Sequence, residues 1–512
     1  MTDTSSATSF DYDVVVIGGG INGAGVARDA AGRGLKVLLC EQDDLARYTS
    51  SSSTKLIHGG LRYLEHYDFK LVRHALLERE ILLRSAPHII WPLRFILPHH
   101  RDLRPKWMIR LGLFLYDHIG GRKLLPKSWS VDLKKHISGE ALNDEFTAGF
   151  EYSDCWVQDS RLVVLNARDA ADRGAEVLVQ TTCTDLTAAD DHWLVEIRDN
   201  SSDTVRTIKS RSVVNATGPW VEAVQKLQIR NKVEHGVRLV KGSHVVVNKL
   251  FDHEYTYIFQ NADNRVLFAV PYEQNYTLLG TTDIEVTGDP AAVEIEQREI
   301  DYICEAVSSY FKKPVKSYDV IWSYTGVRPL FDDAAANASK VTRDYVIHLS
   351  ESGPPLVSIF GGKITTFRKL SEEVVDMILP RLPQLKSVGS LKAWTASSTL
   401  PGGDIPNADY EAFVKAKQVQ FPWMPDALLA DYTRNYGTMI DSLLGDAKSV
   451  ADLGLHFGGD LYEAEVRHLM TNEWARCADD ILWRRTRKGL HVPEETAAKL
   501  DSWMQTELVN AA

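Results

Sequence analysis

Long apolar runs, paired cysteines and surplus positive charge are what this 512-residue sequence lacks. No uninterrupted apolar stretch approaches the roughly 20 residues of a membrane-crossing helix, which leaves the membrane surface as the only expected lipid contact. The five cysteines, Cys40, Cys155, Cys183, Cys304 and Cys477, are odd in number and widely scattered. None forms a C-x-x-C pair or joins a histidine cluster, so neither a disulfide framework nor a metal site is expected. Cys40 lies in an apolar run and reads as a small buried hydrophobe. With 58 Lys and Arg against 69 Asp and Glu, the net charge is −11, which argues against a nucleic-acid-binding surface. Met1–Tyr12 has neither a basic start nor an apolar core, so no secretory signal is expected and the cytoplasm is the expected compartment. There is no internal repeat, and the serine-rich Thr49–Thr54 is too short to be a low-complexity tract.

What is present is a globular composition, 44% hydrophobic and 25% charged, in a chain long enough for two or three domains. The apolar run Val14–Ile17 leads into Gly18-x-Gly20-x-x-Gly23 and a helical pattern over Ala24–Ala31. A second apolar strand, Lys36–Cys40, ends at Glu41. Gly18 permits the tight turn, Gly20 lets a pyrophosphate approach the backbone, and Gly23 lets the helix pack on the strand. The helix N–H groups and its positive dipole end face the phosphates. Glu41 can accept hydrogen bonds from a ribose 2′-hydroxyl, which disfavours NADP and leaves FAD and NAD.

Strand-like and helix-like segments alternate from the start, the pattern of an α/β domain. Two later strand-then-turn signals, Ser212–Pro219 and Leu356–Lys363, fit the same sheet, the second followed by a helical pattern over Ile364–Leu379. The nucleotide domain is then discontinuous. His192–Ile208 predicts a hairpin around Asn200–Asp203, and residues 237–282 predict an antiparallel sheet walling a substrate domain. Pro401–Asp404 reads as a linker and Ala408–Leu508 as mostly helical. The expected class is α/β, α+β overall. Residues 1–85, 150–225 and 320–392 form a Rossmann-like nucleotide domain, 86–149 and 226–319 an antiparallel-sheet cap, and 393–512 a helical C-terminal domain.

Several motifs occur in a fixed order: Ile17–Gly25, Ser50–Tyr63 (SSSSTKLIHGGLRY), Asn215–Trp220 (NATGPW), Tyr324–Leu330 (YTGVRPL), Phe360–Arg368 (FGGKITTFR) and Ala478–Arg487 (ADDILWRRTR). Over nearly the whole chain they resemble FAD-dependent glycerol-3-phosphate dehydrogenases of the respiratory, quinone-reducing kind. The broader group is the flavin-dependent amine and hydroxyl oxidoreductases related to D-amino-acid oxidase. The resemblance implies FAD rather than NAD. It also implies oxidation of glycerol 3-phosphate to dihydroxyacetone phosphate in glycerol catabolism, with electrons passed to ubiquinone.

Flavin oxidation of a secondary alcohol requires a base for the hydroxyl proton, a C–H aimed at N5, and positive character near N1 and O2. The turn Gly361-Gly362-Lys363 before a helix supplies the last of these, with Thr365 and Thr366 lining it. A phosphate dianion calls for arginine forks. Arg328 is the first choice, with Arg343 and Arg62 behind it, Tyr63 a hydrogen-bond donor beside Arg62, and Thr281 in a turn that lines the pocket. His244, in an apolar strand, is the expected base because imidazole titrates near neutrality. The expected cofactor contacts are Gly18, Gly20, Gly23, Glu41, Ser50, Ser51, His58, Gly60, Thr217, Gly218, Gly361, Gly362, Lys363 and Thr365.

Residues 101–129 carry seven Lys and Arg against two Asp, a local +5, interleaved with Trp107, Met108, Leu111, Leu113, Phe114, Leu115 and Tyr116. That composition suits a helix lying on the inner face of an anionic cytoplasmic membrane, peripherally and without crossing it. Arg484–Lys488 is a second basic cluster that could meet lipid, a partner chain or nothing. The oligomeric state stays open, a homodimer being one option. Three rival readings remain: an oxygen-using glycerol-3-phosphate oxidase, an amine or amino-acid oxidase, and a non-catalytic FAD-binding protein.

Overall fold

The structure, a computed structural model, describes residues 10–228, 235–261, 263, 265–332, 344–350, 353–382 and 392–511. The run Val14–Ile17 is apolar on both faces because it forms the centre of a parallel sheet covered on both sides. Strand Tyr12–Ile17 lies between Val37–Cys40 and Val205–Asn215, with Leu356–Phe360 parallel on the far side of the latter. Val346–Leu349 and Glu176–Leu178 complete the row, and the hairpin Thr181–Ala188 with Trp193–Asp199 extends from Val205–Asn215. Helices Ile21–Gly32, Asp159–Asp172 and Phe367–Ile378 contribute Ala24, Ala27, Leu162, Val163, Leu370 and Val374 to the core beneath this sheet.

A second sheet of ten strands runs Ile284–Glu285, Val237–Asn248, Tyr276–Gly280, Val266–Tyr272, Thr256–Gln260, Ile90–Pro98, Ala148–Val157, Leu56–Ile57. Val320–Phe331 pairs on Val237–Asn248, and Trp129–Asp132 on Ala148–Val157. All pairs are antiparallel except Thr256–Gln260 with Ile90–Pro98. Three strands therefore depart from the sequence-based division, which gave residues 1–85, 150–225 and 320–392 to the nucleotide part: the short Leu56–Ile57 on Ala148–Val157, and two longer ones. Ala148–Val157 pairs along its length with Ile90–Pro98, and Val320–Phe331 along Val237–Asn248. Which edge a strand joins depends on partners remote in sequence, and local composition does not encode them.

The C-terminal helices Tyr410–Gln420, Asp426–Tyr436, Ile440–Leu444, Glu463–Asn472 and Thr496–Ala511 enclose their own core around Leu428, Tyr432, Ile481 and Leu500. Pro401–Asp404 is no free linker. Leu400 N–H donates to Ser85 O and Thr438 N–H to Gly402 O, and a Cβ on Gly402 would fall 2.3 Å from Tyr436 O. The basic run Arg484–Lys488 is also not on the surface. Arg484 is 6%, Arg485 1%, Arg487 6% and Lys488 5% exposed.

Asp44, in the loop after Val37–Cys40, accepts Arg485 through both oxygens at 2.7 and 2.9 Å, and Arg484 Nε at 2.5 Å. A like-charge cluster reads as a surface patch in sequence, but here each cation faces a buried carboxylate. Asp44→Ala takes the paired carboxylate from buried Arg485, while Arg484 keeps Asp479 and Asp480, and breaking such a buried pair costs about 3–5 kcal/mol. Denaturant unfolding should show a loss of that size, and a change below about 1 kcal/mol would mean that the pair does not join the domains.

Candidate active site

The glycine turn is built as its spacing requires. Gly18 has φ +107°, and an added Cβ there would sit 2.7 Å from Ala216 O; one on Gly23 would sit 1.9 Å from Gly18 O. Helix Ile21–Gly32 begins at Gly20 without a side-chain cap from that residue, and Ser50 Oγ accepts the Ile21 N–H at 3.0 Å. Over this helix end opens a cleft of about 340 Å³. Gly18, Gly20, Glu41 and Ser50 line one part of it, and Thr217, Gly218, Gly361 and Gly362 another. The N–H-rich helix end and the crowded glycines Gly18 and Gly23 fit a dinucleotide whose pyrophosphate lies at the turn.

Glu41 is 8% exposed. Its carboxylate accepts the backbone N–H of Gly19 at 2.6 Å and of Asp43 at 2.9 Å. Burial pushes its pKa up to about 7, against the pull of those two donors.

The remaining nominated cofactor residues lie off that lining and tie together the loops beyond Gly362. Asn22 Nδ2 donates to Gly361 O at 3.1 Å. Thr365 Oγ1 accepts the His58 N–H at 3.3 Å and faces His58 O at 3.4 Å. The Lys363 ammonium stands 4.1 Å from the centre of the Tyr63 ring, and a Cβ on Gly60 would strike that same ring at 2.3 Å. Burial, with the Lys363 and Arg79 charges, holds His58 below its ordinary pKa against the nearby Asp154. Ser51 turns its hydroxyl back onto Tyr48 O at 3.2 Å instead of towards the cleft.

Strand Val320–Phe331 connects the cleft to the second sheet. Thr49 Oγ1 donates to Val327 O at 2.6 Å, Tyr324 OH donates to Ser53 O at 2.8 Å, and Pro329 lines the cleft. The register pairs Gly242 with Gly326, and His244 with both Tyr324 and Gly280. Gly242, His244, Gly280, Tyr324, Gly326 and Arg328 therefore share one sheet face, turned towards residues 52–54. Three of the six are glycines because space there is already taken. A Cβ would meet Arg328 Nη2 at 2.4 Å from Gly242, His244 Cδ2 at 2.3 Å from Gly280, and Ser52 Cβ at 2.7 Å from Gly326.

On this face Arg328 Nη2 donates to Thr282 O at 2.8 Å and pairs with Asp283 at 2.9 Å, both in the turn that carries Thr281. That turn is anchored by buried Glu299, which accepts Thr282 Oγ1 and Ser243 Oγ and pairs with Lys241 at 2.7 Å. His244 is 2% exposed, its ring stacked on Tyr324 at 4.8 Å with its Nε2 2.9 Å from Thr54 Oγ1. Burial first, then the Lys55 and Arg328 charges, hold its pKa well below 6.5, so the imidazole is neutral. Arg62 is half-buried, with no ion pair among the described residues. Arg343 lies outside the described residues.

Thr54, Lys55 and Asp159 were not nominated from the sequence, and Asp283 only as part of the turn expected to line the pocket. Thr54 and Lys55 sit inside the Ser50–Tyr63 motif, and Asp283 follows the Thr281-Thr282 pair. Asp159 had no local signal.

Residues 13–368 match the FAD dependent oxidoreductase family, and residues 393–508 match the C-terminal domain of alpha-glycerophosphate oxidase. The chain is 51% identical over 492 residues to the D-erythritol 1-phosphate dehydrogenase of Brucella abortus, covering 96% of this chain and 97% of that one. It is 47% identical over 498 residues to the glycerol-3-phosphate dehydrogenase of Pseudomonas aeruginosa, covering 97% and 95%. Among solved structures it is similar to the Bacillus halodurans glycerol-3-phosphate dehydrogenase complexed with FAD, with a TM-score of 0.77 and 27% identity, covering 97% of this chain and 90% of that one.

With the ribose seated on Glu41, as the sequence leads one to expect, its raised pKa would make FAD binding pH-dependent. A hydroxyl would donate to the ionised carboxylate, so affinity would be full above pH 7 and fall as protonation sets in below it. Fluorescence titration of the apoprotein should show binding about tenfold weaker at pH 6 than at pH 8. In Glu41→Gln this pH dependence should disappear, and an unchanged slope would detach Glu41 from the ribose.

Proposed function

We propose, from the premise that this chain belongs to the FAD dependent oxidoreductase family, that it oxidises sn-glycerol 3-phosphate to dihydroxyacetone phosphate. The observation that carries the reading is the single sheet face holding His244 and Arg328 against the Thr281–Asp283 turn and opposite the Ser52–Thr54 loop. Bound FAD supplies the hydride acceptor and the exit for two electrons.

The chain's own residues bind, orient and deprotonate the substrate. Arg328 takes the phosphate dianion, its guanidinium already steadied by Thr282 O and Asp283, and Arg62 adds a second cation. Thr281 lines the pocket beside them. His244 accepts the hydroxyl proton through Thr54, whose half-buried hydroxyl reaches the loop surface that the buried ring does not. Lys363 and the N–H groups after Gly361 and Gly362 (φ +73° and +106°) place positive character at the flavin ring.

The electron acceptor in this reading is ubiquinone, reached at a membrane surface. Helix Lys106–Ile119 buries Leu113 and Tyr116 but leaves Trp107 66%, Leu111 51% and Phe114 51% exposed, on one helical face. Arg101, Arg104, Lys106, Lys123 and Lys127 surround it, all exposed. Exposed aromatic and leucine side chains ringed by cations suit an anionic interface. Among the described residues no helix is long and apolar enough to cross a membrane.

A second substrate, D-erythritol 1-phosphate, is favoured by the 51% identity to the Brucella enzyme. Both molecules present a secondary alcohol next to a phosphorylated carbon, so the same arginine and histidine would serve either.

Anaerobic addition of glycerol 3-phosphate to the flavin-loaded protein should bleach the yellow colour, and erythritol phosphate run in parallel ranks the two substrates. Persistent colour with both would overturn the reading. Quinone-analogue and peroxide assays then separate a dehydrogenase from an oxidase. Arg328→Ala should raise KM about ten- to a hundredfold with FAD retained, as expected for losing charged hydrogen bonds. His244→Gln should slow flavin reduction about a hundredfold or more. For the surface, the triple variant W107A/L111A/F114A should lose sedimentation with anionic liposomes, and equal sedimentation would move the docking face elsewhere.

A further inference from the structure

Arg487 belongs to the C-terminal domain but points out of it. It adopts a left-handed φ of +59°, and its Nη2 donates to Asp159 Oδ1 at 3.0 Å. Asp159, with no solvent exposure, is the first residue of helix Asp159–Asp172. Its carboxylate also accepts Ser53 Oγ at 2.7 Å, the Ser53 N–H at 3.3 Å and Lys55 Nζ at 3.0 Å. Lys55 Nζ in turn donates to Ser51 O at 2.9 Å. One buried carboxylate thus ties down both sides of Thr54.

Thr54 is the hydrogen-bond partner of His244 Nε2. His244 Nδ1 has no hydrogen-bond partner among the described residues, so the imidazole is oriented by Thr54 and by the Tyr324 ring. Tyr324 is itself fixed to the same loop through Ser53 O. The charged groups acting on His244 are Lys55, from this loop, and Arg328, from the neighbouring strand. Arg487 acts on both Asp159 and Lys55: with burial, its charge helps hold Lys55 down to about 8, while Asp159 opposes the shift.

The neighbours of Arg487 have other work. Arg484 and Arg485 bind Asp44, and Lys488 pairs with Asp431 and Glu465 inside its own domain. Arg487 is the member of the run whose carboxylate partner holds the loop facing His244. We propose that Arg487 is a positioning residue for alcohol oxidation, setting through Asp159 the Ser51–Lys55 loop and, through Thr54, the imidazole of His244. The C-terminal domain then completes the site instead of merely packing on it. This rests on the reading of His244 as the base.

The test is stopped-flow flavin reduction by glycerol 3-phosphate in FAD-loaded full-length protein. Small displacements of a catalytic group cost about ten- to a hundredfold. R487Q should slow reduction by about tenfold or more, with the substrate dissociation constant changed less than about threefold. R487K should recover a large part of the rate, because it keeps a cation at Asp159. Thr54→Val should slow reduction comparably, Thr54→Ser should restore it, and T54V combined with R487Q should be no slower than the slower single variant. If R487Q does not retain FAD, R487K and its combination with T54V are read instead, with the same non-additivity expected. A wild-type rate in R487Q, or multiplicative effects in the double variant, overturns the proposal. Normal reduction by H244Q would instead sink the base assignment, while a slow H244Q beside a normal R487Q sinks only the positioning role.

Discussion

Four parallel strands ending at one level are the constraint on which the rest of the structure depends. Ile17 pairs with Cys40 on one side and with Asn215 on the other, and Asn215 pairs with Ser358. Each strand therefore delivers its next residues to the same edge: Gly18, Glu41, the Ala216–Gly218 turn and Gly361. Segments more than three hundred residues apart in sequence become one cleft, at the carboxyl ends where open α/β sheets hold ligands. The Asn22 amide bonded to Gly361 O is a direct tie between its two ends.

The second constraint is a single strand that serves two sheets. Val320–Phe331 hydrogen-bonds along Val237–Asn248, yet meets the cofactor loops through Tyr324, Gly326, Val327 and Pro329. Any change in its register would move His244 and Arg328 together relative to the cleft, because both lie on the face set by that pairing. Glycines at 242, 280 and 326 follow from the same crowding, since arginine, histidine and loop already occupy the space their side chains would need.

The nucleotide turn was legible in the sequence because every part of it is local: a strand, three spaced glycines, a helix and an acid. Arg328 and Lys363 were nominated with the help of motif resemblance, and His244 from its apolar strand and the near-neutral titration of imidazole. The supporting groups were not. Asp159 looks like an ordinary helix-starting acid until Ser53 and Lys55 from one loop and Arg487 from the C-terminal domain converge on it. The cluster Arg484–Lys488 misled for a related reason. A basic run is ambiguous in sequence, because exposure depends on whether carboxylates wait opposite, and here Asp44, Asp159 and Glu465 do. The 101–129 cations have no comparable set of buried partners. The one acid there that is buried, Asp117, accepts Ser128 and leaves the surface more basic than the raw count.

Charge also decides when His244 can work. With its ring buried and Lys55 and Arg328 as its charged neighbours, the imidazole holds a proton poorly. A base so depressed would be weak in the empty site. On the proposed assignment, a substrate phosphate would bring two negative charges to Arg328, offsetting one of the two opposing fields and raising the proton affinity of the ring when the alcohol arrives. A polyol without phosphate would leave that field in place and would meet a reluctant base. With His244 as the base and Arg328 on the phosphate, as proposed, selection for phosphorylated alcohols would come from proton transfer as well as from binding, with one arginine contributing to both.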